Sequence, residues 1–380
     1  MGTKGLEALG MSDPTQDLLP EGLEDRLPQS ARAATRIERA ILDSLLGHGY
    51  DRVRPPLVEF ERSLASRMDG LKRNHMFRFT DPKSLRTLAL RSDMTVQVGR
   101  LAANGLADAP RPLRLCYAGQ VMKIAGDALQ PRRENLQLGA ELIGTDTVAA
   151  AAEIVALAIT ALEAAGATGI SVDFTLPDLV DTLANGPFPL DAEQREKVRR
   201  ELDMKDAGGL KDAGGEAYLP LLYATGPFPD AAQKLDALDQ SGVLDSRIEG
   251  LHRIAERVEG RARLTLDASE RHGFEYQSWF GFTIYADGVR GALGRGGTYA
   301  IGGSDEVATG FSLYPEELIE AVKADEETGG KLFLPLGHDA AAAAALRAQG
   351  WRTIAALSDT DDAAALGCSH VLDGGAANAL

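Results

Sequence analysis

Five side chains in this sequence have the types that hold a small, charged, hydrogen-bonding ligand: Asp93, Thr95, Gln137, Glu141 and Tyr276. Carboxylates, an amide and hydroxyls together accept from an N–H-bearing group and donate back to it. As a set they describe a polar, amino-acid-like pocket. Each also has a plain structural reading. Asp93 precedes a helical pattern and suits an N-cap, Gln137 and Glu141 suit polar positions on a strand, and Tyr276 suits core packing. Other chemistries have less to stand on. The run Gly294-Arg295-Gly296-Gly297-Thr298-Tyr299 ends on tyrosine where a dinucleotide fingerprint needs glycine, and it has no Gly-Lys-Ser/Thr of a P-loop. On its own residues it reads as a tight turn between strands. The six histidines and two cysteines are scattered without metal-ligand or disulfide spacing. No metal or cofactor is expected.

Composition narrows the class. With 380 residues the chain has room for two or three cores. Its net charge of −16 opposes nucleic-acid binding, which rests on cations that neutralise phosphates. The longest apolar run, about residues 148–165, is alanine-rich and broken by Glu153 and Glu163, too weak for a membrane span, and no signal peptide is read at the start. Cytoplasm is the expected location.

The elements that must position these groups follow from periodicity. Ile37, Ile41 and Leu45 mark one face of a helix over 30–48 with Ser30 as its cap, and a strand broken by Pro55-Pro56 follows. Short strands around 76–81 and 87–95 lead into a helix. Residues 113–144 read as strand–loop–strand, followed by a long alanine-rich helix over 146–165 and a strand near 169–176. From 178 to 262 the texture is helical, with Ile248, Leu251, Ala255 and Val258 on one face. Sheet patterns return at 262–267 and 279–287, and a helix is expected over 315–323. Residues 325–330 look like a linker, followed by a small β-α-β unit with a further short helix. The predicted division is 1–324 and 325–380.

Three segments carry a resemblance. LRLCYAGQVMKIAGDALQPRRENLQLGAELIG (113–144) resembles motif 2 of class II aminoacyl-tRNA synthetases, closest to the histidyl enzyme. LRSDMT (90–95) is similar to the Leu-Arg-Pro-Glu-Gly-Thr element of that enzyme, and ATGFSLYPEELIEAV (308–322) stands where motif 3 would. The implied fold is α+β: an antiparallel class II sheet flanked by helices, with a helical insert and a small C-terminal α/β segment. In that family a carboxylate and a threonine hold the substrate ammonium, which the resemblance assigns to Asp93 and Thr95. The Gln-x-x-x-Glu pair that contacts ammonium and imidazole falls on Gln137 and Glu141, and one pocket tyrosine on Tyr276.

The cations that would handle ATP are missing. The motif 2 arginine is Lys123, with Ala125 in place of the glutamate, and Glu317 aligns with the motif 3 arginine, beside Tyr314 in place of glycine. A guanidinium fork holds phosphate in a way an ammonium does not. An anion there reverses the sign; unit charges at about 4 Å repel by on the order of 4 kcal/mol at an effective dielectric near 20. The arginine that activates the histidine carboxylate is His272, and the Gly-Gly-Arg-Tyr segment is altered, with Thr298 for arginine.

This pattern resembles the ATP phosphoribosyltransferase regulatory subunit family. It implies a non-catalytic subunit, without cofactor, that assembles with a short-form ATP phosphoribosyltransferase catalytic subunit for the first step of histidine biosynthesis. It implies L-histidine as the ligand of Asp93, Thr95, Gln137, Glu141 and Tyr276, and a homodimer core within a hetero-oligomer. The alternative readings are an active histidyl-tRNA synthetase, or a paralogue serving another partner. The enzyme would need both arginines and a basic anticodon domain; residues 325–380 hold eight acids and three bases.

Overall fold

Pro28 opens the first helix, α1 (Pro28–Gly47), at a position where a missing N–H and a fixed φ cost nothing; Ser30 lies inside it and provides no cap. Ile37, Ile41 and Leu45 are fully buried together with Ala33. Proline cannot donate to a ladder, so the chain around Pro55 and Pro56 splits into β1 (Asp51–Arg52) and β2 (Val58–Phe60). The computed structural model describes residues 18–65, 76–125, 131–270, 277–322 and 330–380.

Next come α2 (Glu61–Ala65), β3 (Arg78–Thr80), β4 (Thr87–Leu90), α3 (Thr95–Ala103), β5 (Leu113–Met122), β6 (Glu134–Ile143) and α4 (Val148–Ala164). After β7 (Ser171–Thr175) the chain runs through α5 (Leu179–Ala184), α6 (Ala192–Asp203), α7 (Ala207–Asp212) and a 3₁₀ helix over Glu216–Tyr223. It continues through β8 (Thr225–Pro227), α8 (Phe228–Leu238), α9 (Asp245–Arg257), β9 (Arg263–Asp267), β10 (Gln277–Tyr285), β11 (Gly294–Ala300), β12 (Val307–Leu313) and α10 (Glu316–Val322).

Nine of these strands form one sheet in the order β1-β5-β6-β12-β11-β10-β7-β9-β8. The β1–β5 and β7–β9 pairs are parallel and the rest antiparallel. A second, three-stranded sheet runs β2-β4-β3. Two local readings change. The glycine run is not a turn but β11 itself. A Cβ at Gly296 would lie 2.5 Å from the Phe282 ring and from the Gly310 carbonyl, so glycine serves close strand packing there. The helical stretch 178–262 also contains β8, whose Thr-Gly-Pro carries no alternation to read, yet it pairs with β9 at the sheet edge.

The period of two along β6 separates two environments. Leu136, Leu138, Ala140 and Leu142 join α1 and α4 in the larger core. Gln137, Gly139 and Glu141 alternate with them onto the opposite face, where Tyr117, Ile143 and Tyr299 pack with Met94, Val98 and Ala102 at α3. Helix α4 is apolar on nearly every side because it packs against both α1 and α9. Each valine, leucine or isoleucine it removes from water contributes roughly 1.5–3 kcal/mol, and each alanine methyl less.

The chain divides into two compact units, Met1–Lys323 and Ala324–Leu380. In the second, β13 (Lys331–Leu334), α11 (Ala340–Ala348), β14 (Arg352–Ala355), β15 (His370–Asp373) and β16 (Ala376–Ala379) build a sheet ordered β14-β13-β15-β16 around Leu332, Leu334, Ala343, Leu346 and Leu372. The short helix expected between β14 and β15 is a series of turns, and β16 adds an antiparallel edge strand.

Candidate functional site

Antiparallel pairing brings three strands to one point. On β5 and β6, Leu115 lies opposite Glu141, Tyr117 opposite Gly139, and Gly119 opposite Gln137. On β12, Gly310 lies opposite Glu141 and Ser312 opposite Gly139. Two glycines make the room. A Cβ at Gly139 would sit 2.4 Å from the Tyr117 ring, and one at Gly310 would sit 1.7 Å from Glu141 Oε2. The turn from β4 into α3 supplies Asp93 and Thr95 from the remaining side. Asp93 Oδ1 accepts from the Thr95 N–H at 2.7 Å, although the N-cap position of α3 falls on Met94 and not on Asp93.

Asp93, Thr95 and Gln137 are joined directly, and Glu141 is linked to them through Tyr117. Gln137 Nε2 donates to Asp93 Oδ2 at 3.0 Å and to Ser312 Oγ at 2.8 Å, while its Oε1 accepts from the Met94 N–H at 2.9 Å. Both of its amide hydrogens are therefore used inside the protein. Gln137 holds Asp93 and the start of α3 in place. Glu141, 1 % exposed, accepts from Tyr117 OH at 3.0 Å and from Tyr299 OH at 2.7 Å. Thr95 Oγ1 lies 3.1 Å from Tyr117 OH, and Ser312 Oγ lies 3.0 Å from it. With Tyr117 giving its one proton to Glu141, both hydroxyls donate to the phenol oxygen. Asp93 is only partly buried and also accepts from Tyr314 OH at 3.3 Å. Tyr276 lies outside the described residues, as does His272.

Burial dominates the electrostatics. It pushes the Glu141 carboxyl up to about 8; the Tyr299 and Tyr117 hydrogen bonds pull it back, and the charge on Asp93 adds to the rise. Tyr117 and Tyr314 are held far above the usual phenol range, first by burial and then by these carboxylates, so both keep their protons as donors. Two carboxylates ringed by hydroxyls suit a cationic, N–H-rich ligand. No group of three or more metal-ligating side chains gathers among the described residues.

The site has supports that sequence inspection did not single out. Arg91, 6 % exposed, donates through Nε to the Gln120 carbonyl at 2.7 Å and through Nη1 to the Pro55 carbonyl at 2.9 Å. It ties the segment carrying Asp93 to β5 and to the proline-broken stretch. Ser312 and Tyr117 escaped notice because their role depends on strand register, which no local pattern records. Thr298, by contrast, lies on the other face, where its Oγ1 contacts Ser278 Oγ at 2.7 Å. From the altered glycine segment it is Tyr299 that reaches the site.

The positions aligned with the ATP-handling cations look different. Lys123 is exposed, its Nζ 5.9 Å from the centroid of the Tyr314 ring. Beside Glu317, Glu316 is buried and accepts from the Leu136 N–H at 2.6 Å while pairing with Arg26. Arg132 lies 3.8 Å from the same carboxylate and 2.7 Å from Glu24. The segment before α1 is thereby fastened across the ends of β5 and β6.

Sheet, motif frame and polar site together define a class II synthetase-like domain of the histidyl type. The histidyl-tRNA synthetase family model matches residues 22–318. In fold the chain is similar to a Bacillus halodurans ATP phosphoribosyltransferase regulatory subunit/histidyl-tRNA synthetase, with TM-score 0.79 at 23% identity, covering 93% of this chain and 96% of that one. It is also similar in fold to histidyl-tRNA synthetase from Nostoc, with TM-score 0.75 at 16% identity, covering 93% and 90%. Sequence relatives are closer. It is 40% identical to the ATP phosphoribosyltransferase regulatory subunit of Rhodospirillum centenum, over 95% of this chain and 96% of the relative. It is 39% identical to that of Paramagnetospirillum magneticum, over 93% and 96%. The chain belongs to the ATP phosphoribosyltransferase regulatory subunit family.

Proposed function

We propose that this chain is a non-catalytic subunit that assembles with a short-form ATP phosphoribosyltransferase catalytic subunit and binds free L-histidine at Asp93, Thr95, Gln137, Glu141 and Tyr276, in the cytoplasm and around a homodimer core. The observation that carries it is the contrast within one sheet. The buried Glu141 and its tyrosines keep the features of an ammonium and imidazole site, while Lys123 and Glu317 stand where two ATP-handling arginines would be. The −16 charge and the acidic C-terminal segment favour the same reading over a tRNA enzyme.

The physical logic is linkage. Histidine inhibits the assembled enzyme only by binding one of its states better than the other, and coupling of about 1–3 kcal/mol corresponds to roughly 5–150-fold in affinity. Mixing the chain with the short catalytic subunit tests the proposal: phosphoribosyl transfer should appear and histidine should suppress it. Absence of calorimetric heat with histidine, for the chain alone and for the complex, would overturn the ligand. Histidine-dependent pyrophosphate exchange with ATP would overturn the non-catalytic role, and light scattering checks the dimer.

A further inference from the structure

On the opposite face of β5, one residue from the Leu115–Glu141 pair, Arg114 points among the helices. It lines a cavity of about 570 Å³ together with His48, Glu153, Thr160, Arg257 and Arg261. Four different parts of the chain contribute the basic groups: His48 follows α1, Arg114 lies on β5, Arg257 ends α9, and Arg261 precedes β9. In a chain of net charge −16 this gathering runs against the overall balance.

The carboxylates nearby do not use up the donors. Glu153 takes Arg114 Nε and Nη2 at 2.9 and 3.0 Å and Tyr50 OH at 2.9 Å. Glu163 takes only Nη2 of Arg261, at 2.6 Å, which that nitrogen shares with Thr160 Oγ1 at 2.8 Å. Among the described residues the Arg257 side chain makes no hydrogen bond or ion pair, and Nη1 of Arg114 and Nε and Nη1 of Arg261 are uncommitted. A cation in the last turn of α9 complements the helix dipole without any ligand. That accounts for Arg257 and leaves unexplained why two further arginines and a histidine share its cavity. The volume falls in the range of small-molecule sites, roughly 300–1,000 Å³. Guanidinium forks match the oxygens of a phosphoryl group.

We infer that this cavity binds a small phosphate-bearing anion, at a site separated by the sheet from the carboxylates of Asp93 and Glu141. Inorganic pyrophosphate is the probe for calorimetry on the full chain, with inorganic phosphate, ribose 5-phosphate and ATP as comparisons that distinguish a free anion from a phosphorylated metabolite. Saturable binding of at least one of them is expected, weakened at least tenfold in Arg257→Ala/Arg261→Ala. Both side chains are exposed, so the variant should keep the wild-type circular dichroism and melting profile. Asp93→Ala should leave the same binding unchanged. No saturable binding of any of the four, equal binding by the double arginine variant, or loss of binding in Asp93→Ala would each overturn the assignment.

Discussion

Tyr299 on β11 donates its phenol proton to Glu141 Oε2 on β6 at 2.7 Å, reaching across β12 where Gly310 leaves the passage open. A carboxylate with almost no exposure is thus held by phenols from both sides. Tyr299→Phe removes one buried donor to that carboxyl and should lower stability by about 1–3 kcal/mol in urea unfolding. An unchanged midpoint would show that Glu141 does not depend on this partner.

The Gly310 passage itself is testable. Gly310→Ala places a Cβ 1.7 Å from Glu141 Oε2, with the Ala140 carbonyl only 2.7 Å away. Overpacking of this kind costs about 1–3 kcal/mol. Both the unfolding midpoint and the calorimetric signal with histidine should fall.

Glu141 should also make stability depend on pH. Its carboxyl titrates at about 8 in the folded chain against an ordinary 4.5. Between those values the folded chain holds a proton that the unfolded chain has released, so this contribution is fully present below 4.5 and is lost as pH rises through 8. The slope from one such group is at most about 1.4 kcal/mol per pH unit. Comparing melting of wild type and Glu141→Gln from pH 5 to pH 8.5 isolates it: the glutamine variant should lose the decline. Parallel curves would count against a raised Glu141.

Arg91 is expected to matter for stability before ligand. Arg91→Met leaves the carbonyls of Gln120 and Pro55 without their donor, a loss on the order of 3 kcal/mol. Chemical denaturation measures it, and a variant as stable as wild type would remove Arg91 from the framework of the site.

Asp93 is the least buried of the two carboxylates and the one proposed to meet the ammonium. Asp93→Asn should weaken histidine at least tenfold by calorimetry, since a charge-assisted bond contributes about 1.5–3 kcal/mol. Histidine binding of wild-type strength in that variant would move the ligand elsewhere.

Periodicity and composition by themselves settled a good deal: Ile37, Ile41 and Leu45 as the buried face of α1, the strand–loop–strand of 113–144 and the proline break after β1. Those are short-range properties, set by side-chain spacing and backbone donors. Resemblance in the LRSDMT and QLGAELIG segments placed Asp93, Thr95, Gln137 and Glu141, and these do come together. What only the tertiary structure decided was partnership. Strand register put Tyr117, Tyr299 and Ser312 around Glu141, turned Thr298 to the other face, and made a strand of a glycine run that reads as a turn. It also gathered Arg114, Arg257 and Arg261 from segments that show no basic patch in sequence. Pairing partners and burial depend on residues far apart along the chain, and a side chain's charge state follows from both.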